Sequence, residues 1–269
     1  MSGRDEVPIL EAQQVSRRYR ARRSFGRAVE PVVAVDDATL ALHQGEAVGL
    51  VGESGSGKST LGRLLLGLEN PDEGRILFEG GEIAAQSRGE LRRFRQTVQV
   101  VFQDPFGSLN PRLSVGSALR EVLSVHDLAR GDAAEARVAE LLDRVGVDPR
   151  SARRYPHEFS GGQRQRIGIA RALCLGPRVI IADEPVSALD VSVQAKVLEL
   201  MAGLRRELGL AYLFISHDLA VIRQICDRVL VMQGGRIVES GPTGELFERP
   251  RVAYTRSLLE AVPRLPHRS

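Results

Sequence analysis

Four short runs of apolar, mainly β-branched residues recur along this chain, and each run is followed at once by polar or glycine residues. The runs are 48–51, 98–102, 179–182 and 212–215. Unbroken apolar runs of this length are typical of strands that are buried on both faces. Helical patterns lie between them; one spans 132–145 and is predicted to have Asp132 as its N-cap. The sequence therefore predicts an α/β core with a mainly parallel sheet.

The segments outside this core have other patterns. Alternating apolar and polar residues, which predict antiparallel strands beside the core, occur near 9–19, 32–42 and 74–78. Residues 105–175 contain no convincing strand pattern and are interpreted as a helical insertion, and Gln233-Gly234-Gly235 predicts a hairpin. We expect a single domain over 1–269, with an antiparallel β part (about 7–47 and 74–102), a helical insertion (about 105–175), a core (48–70 and 176–247) and a C-terminal tail (248–269).

The segment 52–60 matches the pattern G-x-x-x-x-G-K-[ST] and lies between the apolar run 49–51 and a helical pattern predicted to begin at Leu61. Glycines allow consecutive backbone N–H groups to surround an anion, and the following helix directs the positive end of its dipole at the same point. This context makes a glycine turn that arose by chance the weaker interpretation. The predicted nucleotide-binding residues of this phosphate loop are Gly52, Glu53, Ser54, Gly55, Ser56, Gly57, Lys58, Ser59 and Thr60.

Two residues of the phosphate loop have specific predicted roles toward ATP and Mg²⁺. Lys58 is expected to contact the β- and γ-phosphate oxygens, and the Ser59 hydroxyl is expected to coordinate Mg²⁺. The chain has 37 basic residues, but Lys58 and Lys196 are its only lysines. A lysine at this position indicates that a compact ammonium group, and not a planar guanidinium group, is required there.

Two carboxylates follow the apolar run 179–182. The carboxyl ends of strands are where an open α/β sheet binds its ligands. Asp183 is predicted to hold Mg²⁺ through water, and Glu184 is predicted to be the general base for the attacking water. The alternative is that one or both carboxylates only cap the turn that follows.

Two further polar residues come just after predicted strands. Gln103 follows the run 98–102, and His217 follows the run 212–215 and Ser216. Both are therefore expected to face the same crevice, with His217 contacting the γ-phosphate and Gln103 contacting Mg²⁺ or water. A structural histidine and a surface glutamine are the alternatives.

A second helix N-terminus with small residues is predicted at 160–163, before a helical pattern over 164–173. Ser160 or a glycine is expected to cap this helix, whose N–H groups suit a phosphate. A plain N-cap and glycine turn is the alternative. The chain thus offers two partial phosphate sites, and one hypothesis is that head-to-tail pairing of two such chains completes both.

These motifs occur in the order found in ATP-binding cassette (ABC) ATPases, which the chain resembles over nearly its whole length. The matching residues are 52–60, Gln103, Ser160 to Gln163, Asp183-Glu184, Ser187-Ala188-Leu189-Asp190 and His217. The resemblance implies a P-loop NTPase core with an antiparallel β subdomain and an inserted helical subdomain. It also implies an ATPase that forms an ATP-dependent dimer.

The same resemblance implies roles for further residues. The residues expected to contact nucleotide held by the opposite subunit are Ser160, Gly161, Gly162 and Gln163, which we call the signature segment. The loop at Asp190 is expected to cross the interface between the subunits. Tyr19 is expected to stack on adenine; an ordinary half-buried strand tyrosine is the alternative.

A finer resemblance is to the ATPase subunits of dipeptide, oligopeptide and nickel importers. It is carried by the segments 102–112, 154–159 and 254–263, although Ala253 stands where proline usually precedes the tyrosine. It implies two membrane permease subunits, a related second ATPase subunit and, indirectly, an extracytoplasmic solute-binding protein. It places the chain peripherally at the cytoplasmic face of the inner membrane, with Gln103 and the residues after it forming a groove for a coupling helix of the permease.

Composition excludes several other classes. The net charge of +3 is too small for a dedicated nucleic-acid binder, so no nucleic-acid partner is expected. The longest apolar stretch, 208–215, is too short to span a membrane, and the charged N-terminus has no signal-peptide core. Cys174 and Cys226 are expected to be buried thiols. The arginine-rich stretch 17–27 is interpreted as a solvated loop, with contact to lipid headgroups as the alternative.

Two other functional classes fit parts of the sequence. A soluble ABC protein of translation or DNA repair is expected to carry two cassettes or a long coiled-coil insertion, and neither is visible. A small-molecule P-loop kinase explains the phosphate loop but leaves the signature segment and His217 without roles. An importer ATPase is therefore the leading hypothesis, and the sequence does not identify the solute or decide between a homodimer and a heterodimer.

Overall fold

The computed structural model describes residues 7–19, 31–103 and 109–261. The chain divides into two compact units, the first comprising Met1–Leu91 with Tyr212–Ser269 and the second comprising Arg92–Ala211. The predicted limits of the β part, the insertion, the core and the tail remain a prediction.

Strands and helices follow one another along the described residues. The strands are β1 (Leu10–Tyr19), β2 (Val32–Leu42), β3 (Ala47–Val51), β4 (Glu73–Phe78), β5 (Gly81–Glu82), β6 (Val98–Val101), β7 (Val179–Asp183), β8 (Ala211–Ser216), β9 (Arg228–Gln233) and β10 (Arg236–Pro242). The helices are α1 (Lys58–Leu65), α2 (Arg88–Thr97), α3 (Val115–Val125), α4 (Asp132–Arg144), α5 (Gly161–Leu173), α6 (Val191–Leu208), α7 (Leu219–Ile225), α8 (Thr243–Glu248) and α9 (Ala253–Glu260). Short 3-10 turns occur at Ile83–Ala85, Pro149–Arg153 and Pro156–Glu158.

The first unit contains an antiparallel sheet with the strand order β2-β1-β4-β5. β1 pairs with both β2 and β4, so that Leu10 lies opposite Leu42 on one side and opposite Phe78 on the other. All three side chains are buried. The alternation of apolar and polar residues thus predicted these strands and their antiparallel pairing correctly, because one face of the sheet is covered.

The first unit also contains the strand order β10-β9-β3-β8. β3 pairs in parallel with β8 and with β9, and all of its residues are buried. A Cβ atom at Gly49 would lie 2.5 Å from a methyl carbon of Ile222, so α7 packs directly on the β3 backbone. β9 and β10 form the predicted hairpin, with Gly234 and Gly235 at positive φ in its turn.

The second unit combines the parallel pair β6 and β7 with helices. In the described part of 105–175, residues 109–175 contain helices and turns but no strand, in agreement with the missing strand pattern there. α4 buries Val138, Leu141 and Leu142 along one side, and α3, α5 and α6 also bury apolar residues. Parallel strands, the antiparallel β part and the helical insertion together confirm the predicted fold class.

Three predicted helix starts were wrong or too late. The N-cap of α4 is Gly131, so Asp132 is its first helical residue. α1 begins at Lys58 and not at Leu61, because Gly57 at φ 106° turns the chain straight from the loop into the helix. The helix predicted over 164–173 begins three residues earlier, since Ser160 caps it.

Cys174 and Cys226 are buried thiols, as predicted. Burial raises the pKa of the Cys174 thiol to about 12, so this thiol is protonated at neutral pH. Within 7–19, 31–103 and 109–261, no helix has the length and apolarity needed to cross a membrane.

One buried ion pair joins distant parts of the first unit. The Arg228 Nε atom lies 3.0 Å from Glu46 Oε1, and the Glu46 side chain is only 4% exposed. The His43 amide donates to Glu46 Oε2, and the Arg228 guanidinium also donates to the Ala41 carbonyl. The pair therefore fixes the turn between β2 and β3 to the start of β9.

Replacement of the buried acid should destabilise this unit strongly. Glu46→Ala leaves Arg228 without its carboxylate partner, and we expect a loss of about 3 kcal/mol in the free energy of unfolding. The measurement is urea unfolding followed by circular dichroism. The matched control is Asp36→Ala, which removes the acid partner of Arg236, a side chain that is 67% exposed. Equal midpoints for the two variants would contradict the importance of the buried pair.

Candidate functional site

The Lys58 side chain lies inside the phosphate loop of the first unit. Its Nζ atom is 2.7 Å from the Gly52 carbonyl oxygen and 2.8 Å from the Glu53 carbonyl oxygen, and it lies 3.4 Å from Ser56 Oγ. The residue is only 6% exposed. The positive charge is therefore held among the atoms of the loop.

The loop glycines are required by their surroundings. A Cβ atom at Gly52 would lie 2.1 Å from the Met232 carbonyl oxygen, and one at Gly57 would lie 2.1 Å from the Ala34 carbonyl oxygen. Both glycines also have positive φ. Because Gly57 is the N-cap of α1, no N-cap side chain competes for the first-turn amides, which suits a phosphate at this helix terminus.

His217 lies beside the phosphate loop along the parallel sheet of the first unit. Ser216 pairs with Val51, so His217 and Gly52 follow the carboxyl ends of two adjacent parallel strands. His217 is exposed, and Asp218 next to it caps α7 by accepting from the Ala220 amide at 2.8 Å. The structure thus brings His217 and the loop together, and its γ-phosphate contact remains a prediction.

Tyr19 is a half-buried residue at the end of β1. Its hydroxyl donates to Glu69 Oε2 at 2.6 Å, and this hydrogen bond holds the pKa of the Glu69 carboxyl below its usual value. The Arg17 guanidinium lies 5.2 Å from the centre of the tyrosine ring. These contacts fix the ring orientation, and stacking on adenine remains a prediction.

The arginine-rich stretch is described only at its start. Arg17 forms ion pairs with Glu69 and Asp72, and Arg18 forms one with Glu73. These two arginines therefore belong to strand β1 and to a local acid and base network of the first unit, so the interpretation of the stretch as a solvated loop is wrong for residues 17–19. The other arginines of 17–27 lie outside the described residues, as do the importer-like residues 104–108 and the end of the tail from 262.

In the second unit, the predicted magnesium and base residues follow adjacent strands. Val101, the last residue of β6, pairs with Ala182 of β7. Gln103 follows β6 by two residues, Asp183 is the last residue of β7, and Glu184 comes directly after it. Gln103 is exposed, and both carboxylates are half-buried. The second unit thus brings these three predicted residues to one edge of its parallel pair.

Glu184 has an unusual backbone conformation. Its φ is 47°, a left-handed value that is uncommon for a residue other than glycine. The Glu184 carbonyl accepts hydrogen bonds from the amide and the hydroxyl of Ser187, at 3.3 and 3.1 Å. Backbone strain of this kind is concentrated at functional sites, and no sequence pattern could have predicted it.

The signature segment begins α5 with a capping box. Ser160 Oγ accepts from the Gln163 amide, and Gln163 Oε1 accepts from the Ser160 amide. A Cβ atom at Gly162 would lie 2.3 Å from Val193 Cγ1, and one at Gly161 would lie 3.2 Å from Leu189 Cδ2. The glycines thus let this helix start pack directly on the start of α6 and the loop before it.

The loop ending at Asp190 is held by a residue that sequence reasoning missed. The Gln194 Nε2 atom donates to the Val186 and Leu189 carbonyl oxygens, each at 3.0 Å. Asp190 itself is the exposed N-cap residue of α6. The signature segment and the Asp190 loop therefore form one continuous surface of the second unit.

The second unit also contains a surface cavity of about 310 Å³. Part of its lining is the segment 99–102, which directly precedes Gln103 in the sequence. Its walls include the exposed ring of Phe102 and the side chains of Arg95, Gln99, His126 and Arg171. The lining combines apolar surface with cationic and amide groups, which suits a peptide segment that carries an acidic side chain.

The side chains available for a metal ion suit Mg²⁺ that is bound together with ATP. The described residues contain no group of three or more His, Cys, Asp or Glu that could hold a metal ion by themselves. Mg²⁺ bound with ATP needs only one or two protein ligands, because phosphate oxygens and water supply the others. The Ser59 hydroxyl and the Asp183 carboxylate are ligands of the required type.

Comparisons with known proteins point to one family. A family model described as ABC transporter matches residues 35–187. The chain is 54% identical over 257 residues to the glutathione import ATP-binding protein GsiA of Salmonella paratyphi A, covering 95% of this chain and 41% of that protein. It is 52% identical over 260 residues to the protein of the same name from Escherichia coli K12, covering 96% and 42%. The chain thus spans about two fifths of the length of these curated relatives.

Solved structures have the same fold. The chain matches cbiO1 of Clostridium perfringens, part of the ABC transporter complex cbiONQ, with a TM-score of 0.77, 29% identity and coverage of 91% of this chain and 92% of that chain. It matches the ATP-binding cassette MJ0796 in a dimeric post-hydrolysis state bound to ADP and Pi, with a TM-score of 0.73, 28% identity and coverage of 87% and 98%.

Removal of the loop lysine should remove nucleotide binding. We expect Lys58→Ala to weaken ATP binding by about 100-fold or more, because charge-assisted hydrogen bonds to the phosphates are lost. Titration with a fluorescent ATP analogue measures the effect. Lys196→Ala is the matched control, since Lys196 is the other lysine of the chain and is exposed on α6. Unchanged affinity in Lys58→Ala would contradict the assignment of this loop.

Proposed function

Because this chain belongs to the ABC transporter family, we propose that it is the ATP-hydrolysing subunit of an importer whose membrane permease subunits are separate chains. The observation that carries the proposal is the division of phosphate-binding features. The first unit has a complete phosphate loop with Lys58, whereas the signature segment of the second unit has a capped helix start and glycines. The relatives named for glutathione import support uptake of peptides or similar small solutes.

In the proposed mechanism, the phosphate loop binds ATP and orients its γ-phosphate. The first-turn amides of α1 and the Lys58 ammonium bind the β- and γ-phosphates. Ser59, Gln103 and Asp183 would supply ligands for Mg²⁺, and the ion would neutralise charge that develops on the phosphate oxygens. His217, which follows the strand next to the loop, donates to the γ-phosphate. Tyr19 stacks on the adenine.

Glu184 is the proposed general base. Its carboxylate accepts a proton from the water that attacks the γ-phosphorus, and the bond to the leaving phosphate oxygen breaks. The left-handed backbone at Glu184 and the hydrogen bonds from Ser187 fix where this side chain begins. Enzymes accelerate phosphoryl transfer mainly by positioning the reacting groups and by stabilising charge. A fixed starting point for the Glu184 side chain therefore supports in-line attack by water.

Two ATPase subunits complete the nucleotide sites. The signature segment and the Asp190 loop of one subunit contact the nucleotide bound to the phosphate loop of the other. The continuous surface formed by these two segments supports this proposal, since both can meet a partner at once. In the cell, the second subunit is a related ATPase, and the pair is a heterodimer at the cytoplasmic face of the inner membrane. Two copies of the purified chain can form the same head-to-tail arrangement in vitro.

Replacement of the proposed base should separate binding from hydrolysis. Glu184→Gln should bind ATP normally, turn over about 10²- to 10⁴-fold more slowly and accumulate as an ATP-bound dimer. Phosphate release and size-exclusion chromatography with ATP measure these effects. The control is Glu199→Gln, an exposed acid on α6. Turnover at the wild-type rate in Glu184→Gln would contradict the assignment.

The cationic cavity of the second unit is the proposed permease contact. Phe102 offers an exposed apolar ring, and Arg95 and Arg171 offer positive charge at the wall. A short permease helix with one acidic residue matches both features, because its apolar face covers Phe102 and its carboxylate pairs with an arginine. ATP-driven movement of this unit would then move the permease. An extracytoplasmic solute-binding protein delivers the solute, and no nucleic acid takes part.

Charge reversal in the cavity should release the permease. The double variant Arg95→Glu with Arg171→Glu should reduce copurification of permease subunits from solubilised membranes at least about fivefold, because an attractive ion pair becomes repulsive. The intrinsic ATPase rate should not change. Arg206→Glu, an exposed residue on α6, is the control. Permease recovery equal to that of the control would contradict this docking site, and recovery of ribosomal or DNA-repair proteins would contradict the importer.

A further inference from the structure

The C-terminal helix α9 touches the phosphate loop of the first unit through one hydroxyl group. Tyr254 Oη lies 3.0 Å from the Glu53 amide nitrogen and accepts a hydrogen bond from it. Glu53 is the second residue of the loop, and its carbonyl accepts a hydrogen bond from Lys58 Nζ at 2.8 Å. One loop residue therefore links the tail helix to the lysine of the nucleotide site.

The start of α9 is fixed to the parallel sheet by a single carboxylate. Glu239 Oε1 accepts from the Arg251 amide at 2.8 Å, and Oε2 accepts from the Val252 amide at 3.2 Å. Val252 is the N-cap of α9 and has no side-chain capping bond. Glu239 thus holds the two backbone amides at the entry to α9.

The sheet places this carboxylate in line with the loop. Glu239 of β10 pairs with Val231 of β9, and Val231 pairs with Val51 of β3. Val51 directly precedes Gly52, the first residue of the loop. The helix is therefore attached at two points, to the row of the sheet that leads into the loop and to the loop itself.

We propose that Tyr254 is a positioning residue of the nucleotide site and that α9 thereby belongs to this site. The hydroxyl holds the Glu53 amide, and this fixes the Glu53 carbonyl that receives the Lys58 ammonium. Without the hydroxyl, the first half of the loop samples more conformations, and a smaller fraction of the molecules has the conformation that binds ATP. The apparent affinity for ATP is then lower. The inference rests on the proposed function, because it assigns Tyr254 a role in ATP binding.

Removal of one oxygen atom tests the inference. Tyr254→Phe keeps the ring and should raise the Kd for ATP about three- to tenfold, the effect expected for one neutral hydrogen bond. The turnover number at saturating ATP should change less than twofold, because no group that touches the reacting atoms is lost. The urea midpoint should stay that of the wild type, because the lost hydrogen bond lies at the surface.

A second variant tests the anchor. Glu239→Leu removes both acceptors at the start of α9 and should weaken ATP binding in the same direction. Combined with Tyr254→Phe, it should add little beyond the larger single effect, because both act through one contact with the loop. Fully additive losses in binding free energy would contradict the inference that both residues act through the same contact with the loop.

The control is Tyr155→Phe, which removes a hydroxyl in the second unit and should leave ATP affinity unchanged. Wild-type Kd and KM in Tyr254→Phe would overturn the inference, as would a lower turnover number with unchanged affinity. Weaker binding together with a lower urea midpoint would assign Tyr254 a structural role and overturn it as well. Failure of the wild-type chain itself to bind ATP would contradict the proposed function instead.

Discussion

The phosphate loop depends on the close approach of two strand carbonyls to its glycines. The Met232 carbonyl of β9 leaves no room for a side chain at Gly52, and the Ala34 carbonyl of β2 leaves none at Gly57. The turn of the β9–β10 hairpin also donates an amide to a carbonyl of the loop. β9 belongs to the sheet that contains β3 and β2 belongs to the antiparallel sheet, so both sheets of the first unit contact the loop.

Local sequence patterns predicted the strands well, since burial on one face or both determines periodicity directly. The antiparallel strands β1, β2 and β4 follow from alternation, and the β9–β10 hairpin follows from the glycines at its turn. Helix starts were less predictable because they depend on backbone geometry. Gly131 takes the N-cap of α4, although Asp132 has the side chain suited to that role, and Gly57 starts α1 earlier than its apolar pattern indicates. A positive φ at a glycine ends or begins an element with no signal in the hydrophobic pattern.

Motifs located the candidate site residues, but they gave no sign of the supporting contacts, two of which join residues that are far apart in the sequence. The Tyr254 hydroxyl reaches Glu53 across 201 positions, and Arg228 reaches Glu46 across 182. Gln194 is closer to its loop, yet a glutamine on a helix is ordinarily a surface residue, and only its two carbonyl partners reveal its role. Sequence alone therefore predicts which groups meet the nucleotide, whereas the supporting contacts require the fold.

The loop gives a physical reason why position 58 is a lysine in a chain that otherwise uses arginine almost everywhere. The Lys58 ammonium lies between the Gly52 and Glu53 carbonyl oxygens, at 2.7 and 2.8 Å, in a residue that is 6% exposed. A compact group with three donors can bond both carbonyls and still turn toward a phosphate, whereas the wider planar guanidinium group has a fixed fork of donors. Lys196 is exposed on α6 and is under no such constraint. Because the Lys58 ammonium donates to the Glu53 carbonyl, its position depends on how firmly Glu53 is held. In the proposed role of Tyr254, the tail helix influences ATP binding through that single carbonyl.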